Sequence, residues 1–267
     1  MLGDHSFILT QRGYLRPNKL KKTDTLFTEN GCKQTFVRLI NKGDLIEILW
    51  DNGIVEQYTP NTSVKILKDN GKYTWKRVKN LTHEDNVLYN IGKHNISISK
   101  PKVDVISGLD TNSGTFAYMA GCYIGGYNVI NFEEVLFRHF GTIESKHIPD
   151  WVFTEWDVEV IRHFIAGYLD HASEISEVSG DQFVTVENIE ILEKLGLMFA
   201  CADIKATIYK KNGDGSYVLL ILDKVEQTEK SYVCMYDKQT VKGNLHLIQA
   251  FPFTSYLTSG ILCSEFN

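Results

Sequence analysis

The sequence predicts a mixed α and β protein, in which a β domain built from two separate stretches of chain is interrupted by an α+β module. Three observations carry this. Residues 1 to 108 and 227 to 267 read as short alternating strands broken by Gly, Asn and Asp. Residues 109 to 226 change to helical spacing. The charge changes at the same place: residues 110 to 226 hold 19 acidic and 8 basic side chains, a net of −11, which leaves +6 for the rest of a chain whose formal total is −5.

In chain order, Ser6-Phe-Ile-Leu-Thr10 predicts a strand leading into a turn at Gln11-Arg-Gly. Asp44-Leu-Ile-Glu-Ile-Leu-Trp50 alternates and runs into Asp51-Asn-Gly, a hairpin signal. Val64 to Lys68 and Tyr73 to Val78 form a second hairpin around Asp69-Asn-Gly. Helices are predicted at 114–124, 131–140 and 154–170, the last with Thr154 as N-cap and Asp157 three residues on. A strand near 183–186, a helix near 187–199 and a hairpin pairing 204–209 with 217–222 follow. Strands return at Ser231–Tyr236 and Thr254–Thr258.

At 267 residues and 43% hydrophobic, the chain is long enough for one large core or two smaller ones. No apolar run reaches the roughly 18 residues of a membrane span. The opening Met-Leu-Gly-Asp-His lacks a basic-then-apolar secretion layout. The five cysteines are scattered, with neither zinc-knuckle nor disulfide-framework spacing. An intracellular, reducing setting is expected from these features, without a membrane.

Two segments resemble each other: Phe116-Ala-Tyr-Met-Ala-Gly-Cys-Tyr-Ile-Gly-Gly126 and His163-Phe-Ile-Ala-Gly-Tyr-Leu-Asp-His-Ala172. Both resemble the LAGLIDADG signature of homing endonucleases, in which two helices pack through small residues and each ends in a metal-binding carboxylate. The resemblance makes Ala120, Gly121, Ala166 and Gly167 the helix interface. A helical glycine costs about 1 kcal/mol relative to Ala, so matching glycines point to a packing need. At the two acid positions stand Gly126 and Ala172, and neither can hold a cation. The motifs also start only 46 residues apart, counted from Met119 to Ile165. That is too short for the sheet of a full first repeat, so a truncated first repeat is expected.

The flanking β regions resemble the splicing blocks of an intein, the Hint fold. Leu2 to Gly13 resembles the opening block, and Thr59-Pro-Asn-Thr-Ser-Val64 with Gly71 to Val78 resembles the second. Met235 to Val241 and Ser255 to Leu262 resemble the two C-terminal blocks. This implies a discontinuous, all-β Hint-like horseshoe, 1–108 plus 227–267, around a LAGLIDADG-like domain at 109–226. The resemblance also implies a nucleophile at position 1, where Met1 stands, and a histidine where Thr62 stands. A thioether cannot attack its own carbonyl. No His-Asn pair follows Gly260-Ile-Leu.

The expectation is an intein-derived protein without splicing or nuclease chemistry, kept as a binding or scaffold protein, with no cofactor and no metal. The alternatives are a homing endonuclease using Mg²⁺ and substitute acids such as Asp170 or Glu174, or an intein inactivated by engineering. A region at −11 repels DNA phosphates, so a protein partner or self-association is favoured over DNA. The basic stretch with Arg12, Arg16, Lys19, Lys21 and Lys22 is the expected place for any nucleic-acid contact.

Overall fold

A computed structural model of the protein describes residues 1–28, 31–89, 101–222, 231–250, 256–258 and 261–264. Its strands begin with β1 (Ile8–Thr10), β2 (Gly13–Leu15), β3 (Thr25–Thr28) and β4 (Gly31–Trp50). They continue with β5 (Val55–Tyr58), β6 (Ser63–Leu67), β7 (Tyr73–Arg77) and β8 (Asn86–Tyr89). Four helices follow: α1 (Gly114–Ile124), α2 (Glu133–Phe140), α3 (Val152–Glu155) and α4 (Val158–Ala172). Then come β9 (Ser173–Ile175), β10 (Gln182–Val186), α5 (Ile189–Cys201), β11 (Lys205–Lys211) and β12 (Tyr217–Leu222). The chain returns to strands in β13 (Ser231–Val233), β14 (Met235–Ala250), β15 (Tyr256–Leu257) and β16 (Leu262–Ser264). It divides into two compact units, Met1–His94 with Glu226–Asn267, and Asn95–Val225. Thr254, Gly260 and Asn267 lie outside the described residues. Among the described residues no helix is long and apolar enough to cross a membrane.

Among the described residues of the first unit every strand pairing is antiparallel, and β4 is the spine. It pairs with β14 from Trp50–Met235 to Thr35–Ala250, with β3 at its start and with β5 near its end. The sequence expected a strand only from Asp44. The structure carries β4 straight through Asn41-Lys-Gly43, because the chain opposite supplies a matching glycine: Gly43 registers with Gly243. A side chain on either would press on a leucine methyl 2.8 Å away, Leu245 for Gly43 and Leu45 for Gly243. A second layer of pairing centres on β6, which hydrogen-bonds to β7, β8 and β16. Leu2, Phe7, Ile8, Leu45, Ile48, Trp50, Tyr58 and Val64 are buried in this unit.

The second unit holds the antiparallel sheet β11-β12-β10-β9 and the helices. Between α1 and α4, no strand lies among the described residues. An aromatic cluster fills that part of the unit. Phe140 from α2 sits with ring centroids about 6 Å from Phe116, Trp151, Trp156 and Phe164. The Trp156 ring N–H donates to the Thr111 carbonyl at 2.9 Å. The expected helix at 154–170 is instead two helices. Thr154 lies inside α3, its hydroxyl donating back to the Trp151 carbonyl, and Asp157 is the cap of α4, accepting from the Val160 N–H at 2.9 Å. A carboxylate caps α4, which needs a cap once Trp156 turns the chain into an extended conformation.

The turn after β4 holds Asp51. Burial pushes this carboxyl up to about 6 against backbone N–H donors from Cys234, Asn52 and itself. Its folded value lies above the unfolded one of 3.8, so the carboxyl favours the fold at low pH, and that contribution is lost as pH rises through about 6. Asp51→Asn keeps an acceptor and removes the titration. The variant is expected to match the parent near pH 4 and to exceed it by about 1–2 kcal/mol at pH 7.5 in urea unfolding. Equal stabilities at both pH values would refute the assignment.

Candidate functional site

Two places collect the residues singled out in the sequence. The first surrounds Met1. Leu2 is buried and exchanges both backbone hydrogen bonds with His246, at 3.1 and 2.9 Å. The Gly3 N–H donates to the Gln57 carbonyl at 2.9 Å, and a Cβ on Gly3 would strike the Gln57 side chain. The Asp4 carboxylate accepts from the Asn244 amide at 2.7 Å and faces the His246 ring nitrogen Nε2 at 2.6 Å. The chain entering β1 is therefore strapped into the sheet, and this fixes Met1.

The turn Thr59-Pro-Asn-Thr62 closes with a Thr62 N–H to Thr59 carbonyl bond of 3.0 Å. The Met1 carbonyl accepts from the Thr59 N–H at 2.9 Å and from the Thr62 hydroxyl at 3.2 Å. The Met1 nitrogen lies 3.3 Å from the Thr59 hydroxyl and 3.2 Å from that of Thr62. Burial lowers this α-amine from 8.0 to about 5, with Cys263 acting in the opposite direction. Met1 and Thr62, singled out separately in the sequence, thus meet. The polar partners behind them were not foreseen. Glu56, fully buried, accepts from the Trp50 ring N–H at 3.3 Å and contacts the Tyr58 hydroxyl. Tyr58 reaches the Thr258 hydroxyl at 3.3 Å, which lies 3.7 Å from the Cys263 sulfur. Burial first, then the charge of Glu56, holds the Cys263 thiol well above its ordinary value. Such a thiol stays protonated and is a poor nucleophile. The arrangement can hold a carbonyl in place, and Cys263 is not an activated nucleophile that could attack it.

The second place is the crossing of α1 and α4. A Cβ on Gly121 would overlap the Phe164 carbonyl oxygen and lie 2.7 Å from the Tyr168 nitrogen. A Cβ on Gly167 would overlap the Tyr118 carbonyl oxygen and lie 3.1 Å from the Cys122 nitrogen. The contact is reciprocal and runs backbone to backbone. Ala120 is buried, while Ala166 is exposed, so the second small pair contributes only its glycine to the crossing.

Past the crossing, α1 ends at Gly125 and Gly126, the latter at φ +103° with nothing within 4 Å of where a Cβ would stand. Ala172 is the last residue of α4. Aromatic and basic groups occupy these ends. Tyr127 stacks on His171 with centroids 4.3 Å apart. The Lys146 ammonium donates to the Tyr123 carbonyl at 2.6 Å and lies over the Tyr123 ring. Asp170 accepts from the Tyr118 hydroxyl at 2.7 Å, which pushes that phenol up to about 12. Glu174 is exposed on β9. Among the described residues no three His, Cys, Asp or Glu side chains are grouped to hold a metal ion.

The basic N-terminal stretch is partly committed to the fold. The Arg12 guanidinium makes two bonds to the Asp24 carboxylate, at 2.6 and 2.7 Å, and Arg16 lies over the Phe7 ring while donating to the His5 carbonyl at 2.7 Å. Lys19, Lys21 and Lys22 are exposed.

No family profile and no curated protein matches the chain. Solved structures similar to it at low scores include two mini-inteins. One is a mutant of an Ssp DnaB mini-intein variant, at 8% identity and TM-score 0.36, covering 98% of this chain and 96% of that one. The other is the DnaX mini-intein from Spirulina platensis, at 18% identity and TM-score 0.28, covering 39% of this chain and 69% of that one. Likeness at this level establishes no shared fold, and the functional reading rests on the geometry above.

The crossing makes a direct test. Gly121→Ala and Gly167→Ala are each expected to cost more than about 3 kcal/mol, because backbone lies where the methyl must go. Ala166→Ser, at an exposed position of the same helix, is expected to change stability by less than about 0.5 kcal/mol. Urea unfolding of the three variants decides it, and glycine variants as stable as the parent would remove the crossing from the account.

Proposed function

We propose that this protein descends from an intein carrying a LAGLIDADG insert, that it keeps both frames without either reaction, and that it acts by binding. The observation that carries this reading is the glycine-to-glycine crossing of α1 and α4, whose two ends present Gly126 and Ala172 where cation-binding acids would stand. Two-metal hydrolysis needs carboxylates beside both the attacking and the leaving oxygen. The splicing side supports the same reading. Met1 is strapped in position with its carbonyl held by Thr59 and Thr62, yet its side chain is a thioether. Thr62 offers a hydroxyl where a histidine would move protons.

The reading extends to the layout of domains, with the β regions at both ends forming the Hint-like part and the insert forming the nuclease-like part. The insert has one strand–helix–hairpin half and, before it, an aromatic cluster in place of a second sheet. With a net of −11 over residues 110 to 226, the insert opposes the polyanionic backbone of duplex DNA. The competing reading, a working endonuclease with Asp170 or Glu174 as substitute acids, requires Asp170 to leave Tyr118 and pair with a metal.

Incubation of the purified protein with a plasmid carrying the uninterrupted insertion site, in Mg²⁺ or Mn²⁺, is expected to leave the plasmid intact. Gly126→Asp combined with Ala172→Asp is expected not to create cutting. In chelator the double variant is expected to melt about 2–4 °C lower, since two added like charges repel without a metal. Linear product that disappears in Asp170→Asn would establish the endonuclease instead.

A further inference from the structure

The β6–β7 hairpin carries a surface of basic and aromatic side chains. Residues 63 to 80 contain six basic side chains and one acidic. β7 pairs only with β6 among the described strands, so it is an edge. Register sorts the hairpin into two faces. Val64 and Ile66 point inward and are buried, whereas Lys65, Leu67, Tyr73 and Trp75 are half-exposed and Arg77 is exposed. Tyr73 and Trp75 therefore stand two residues apart on one outward face. The Lys65 ammonium lies 5.7 Å from the Tyr73 ring centre and 5.9 Å from that of Trp75. Across the sheet, the Tyr232 hydroxyl meets that of Tyr73 at 3.0 Å and fixes the ring at the head of the row. Lys68 and Lys72 are exposed at the tip, where Gly71 at φ +74° closes the turn, and Lys79 is exposed at the base.

We infer that this hairpin face binds single-stranded nucleic acid. Rings at two-residue spacing on a rigid strand are platforms on which successive bases stack, and lysines beside the rings meet the phosphates between those bases. Lys76 lies on the other face, paired with Asp85 at 2.6 Å, while Arg77 on the ring face and Lys68 and Lys72 at the tip are exposed. Duplex DNA would use the charges but not the rings, since its bases are already stacked. An acidic protein surface would likewise use only the charges. The combination of rings and cations on one face selects a strand with unpaired bases. The expected contact thus moves from the Arg12–Lys22 stretch, whose two arginines serve the fold, to β6–β7. The inference concerns the first unit alone and does not depend on the fate of the nuclease-like insert.

The test uses the full chain and fluorescently labelled dT and rU oligomers, with polarisation read at several salt concentrations. Binding is expected to weaken with salt and to resist competition by an equal concentration of duplex. Trp75→Ala is expected to raise the dissociation constant about tenfold or more, and Trp75→Phe to keep most of the affinity. Arg77→Ala with Lys79→Ala, exposed and therefore tolerant positions, is expected to weaken binding and flatten the salt dependence. Lys19→Ala with Lys21→Ala and Lys22→Ala is expected to have no effect. The relative affinity for dT and rU separates DNA from RNA as the source. Absence of binding, equal competition by duplex or by polyglutamate, or an unchanged constant in Trp75→Ala would each overturn the inference.

Discussion

The close approach of α1 and α4 constrains everything around it in the second unit. With Gly121 and Gly167 seated against the opposing backbones, the helices sit too close for any side chain larger than hydrogen at those two places. Close packing at that distance makes many small dispersion contacts, each weak and together large. It also decides what each helix can show elsewhere. The face of α1 carrying Phe116 turns toward the aromatic cluster around Phe140, and the helix ends come side by side. Juxtaposed helix ends concentrate carbonyl dipoles of one sign. The chain answers that with the Lys146 ammonium at the Tyr123 carbonyl and with a Tyr127–His171 stack. A cation is thus supplied at that end by the chain itself.

The first unit solves a related problem around Met1. Burying a chain end or a backbone nitrogen is costly unless polar groups receive it. Thr59 and Thr62 provide that, and the Asp4–His246–Asn244 group holds the following residues so that the position of Met1 is fixed. Behind it runs a buried polar row from Trp50 through Glu56, Tyr58 and Thr258 to Cys263. Buried networks of this kind specify geometry. They also keep the Cys263 thiol protonated, which separates a well-ordered site from a reactive one.

Much of this was legible in the sequence wherever a local rule governed. Asn and Gly at turns marked the hairpins, and paired glycines in helical segments marked the crossing. Long-range partnership was not legible. The strand expected only from Asp44 starts earlier because a glycine opposite Gly43, 200 residues away in sequence, lets β4 run on through it. The Arg12–Lys22 stretch read as free charge because Asp24 and Phe7 announce themselves as partners only in three dimensions. Glu56 and Tyr58 gave a weak signal, since alternate residues of a strand share a face, but nothing nearby in sequence named Thr258 or Cys263 as what that face meets. Ala166 failed as an interface residue for a simple geometric reason: adjacent positions on a helix point about 100° apart, and only Gly167 faces α1.

The proposed loss of splicing chemistry turns on the bond ahead of Met1, whose carbonyl Thr59 and Thr62 hold. The most direct measurement fuses a short peptide before Met1, incubates the folded protein with hydroxylamine at neutral pH, and weighs the products by mass spectrometry. An acyl shift would leave an ester or thioester that hydroxylamine cleaves. The fusion is expected to stay intact at all times; release of the upstream peptide as its hydroxamate would show that the bond can still be broken.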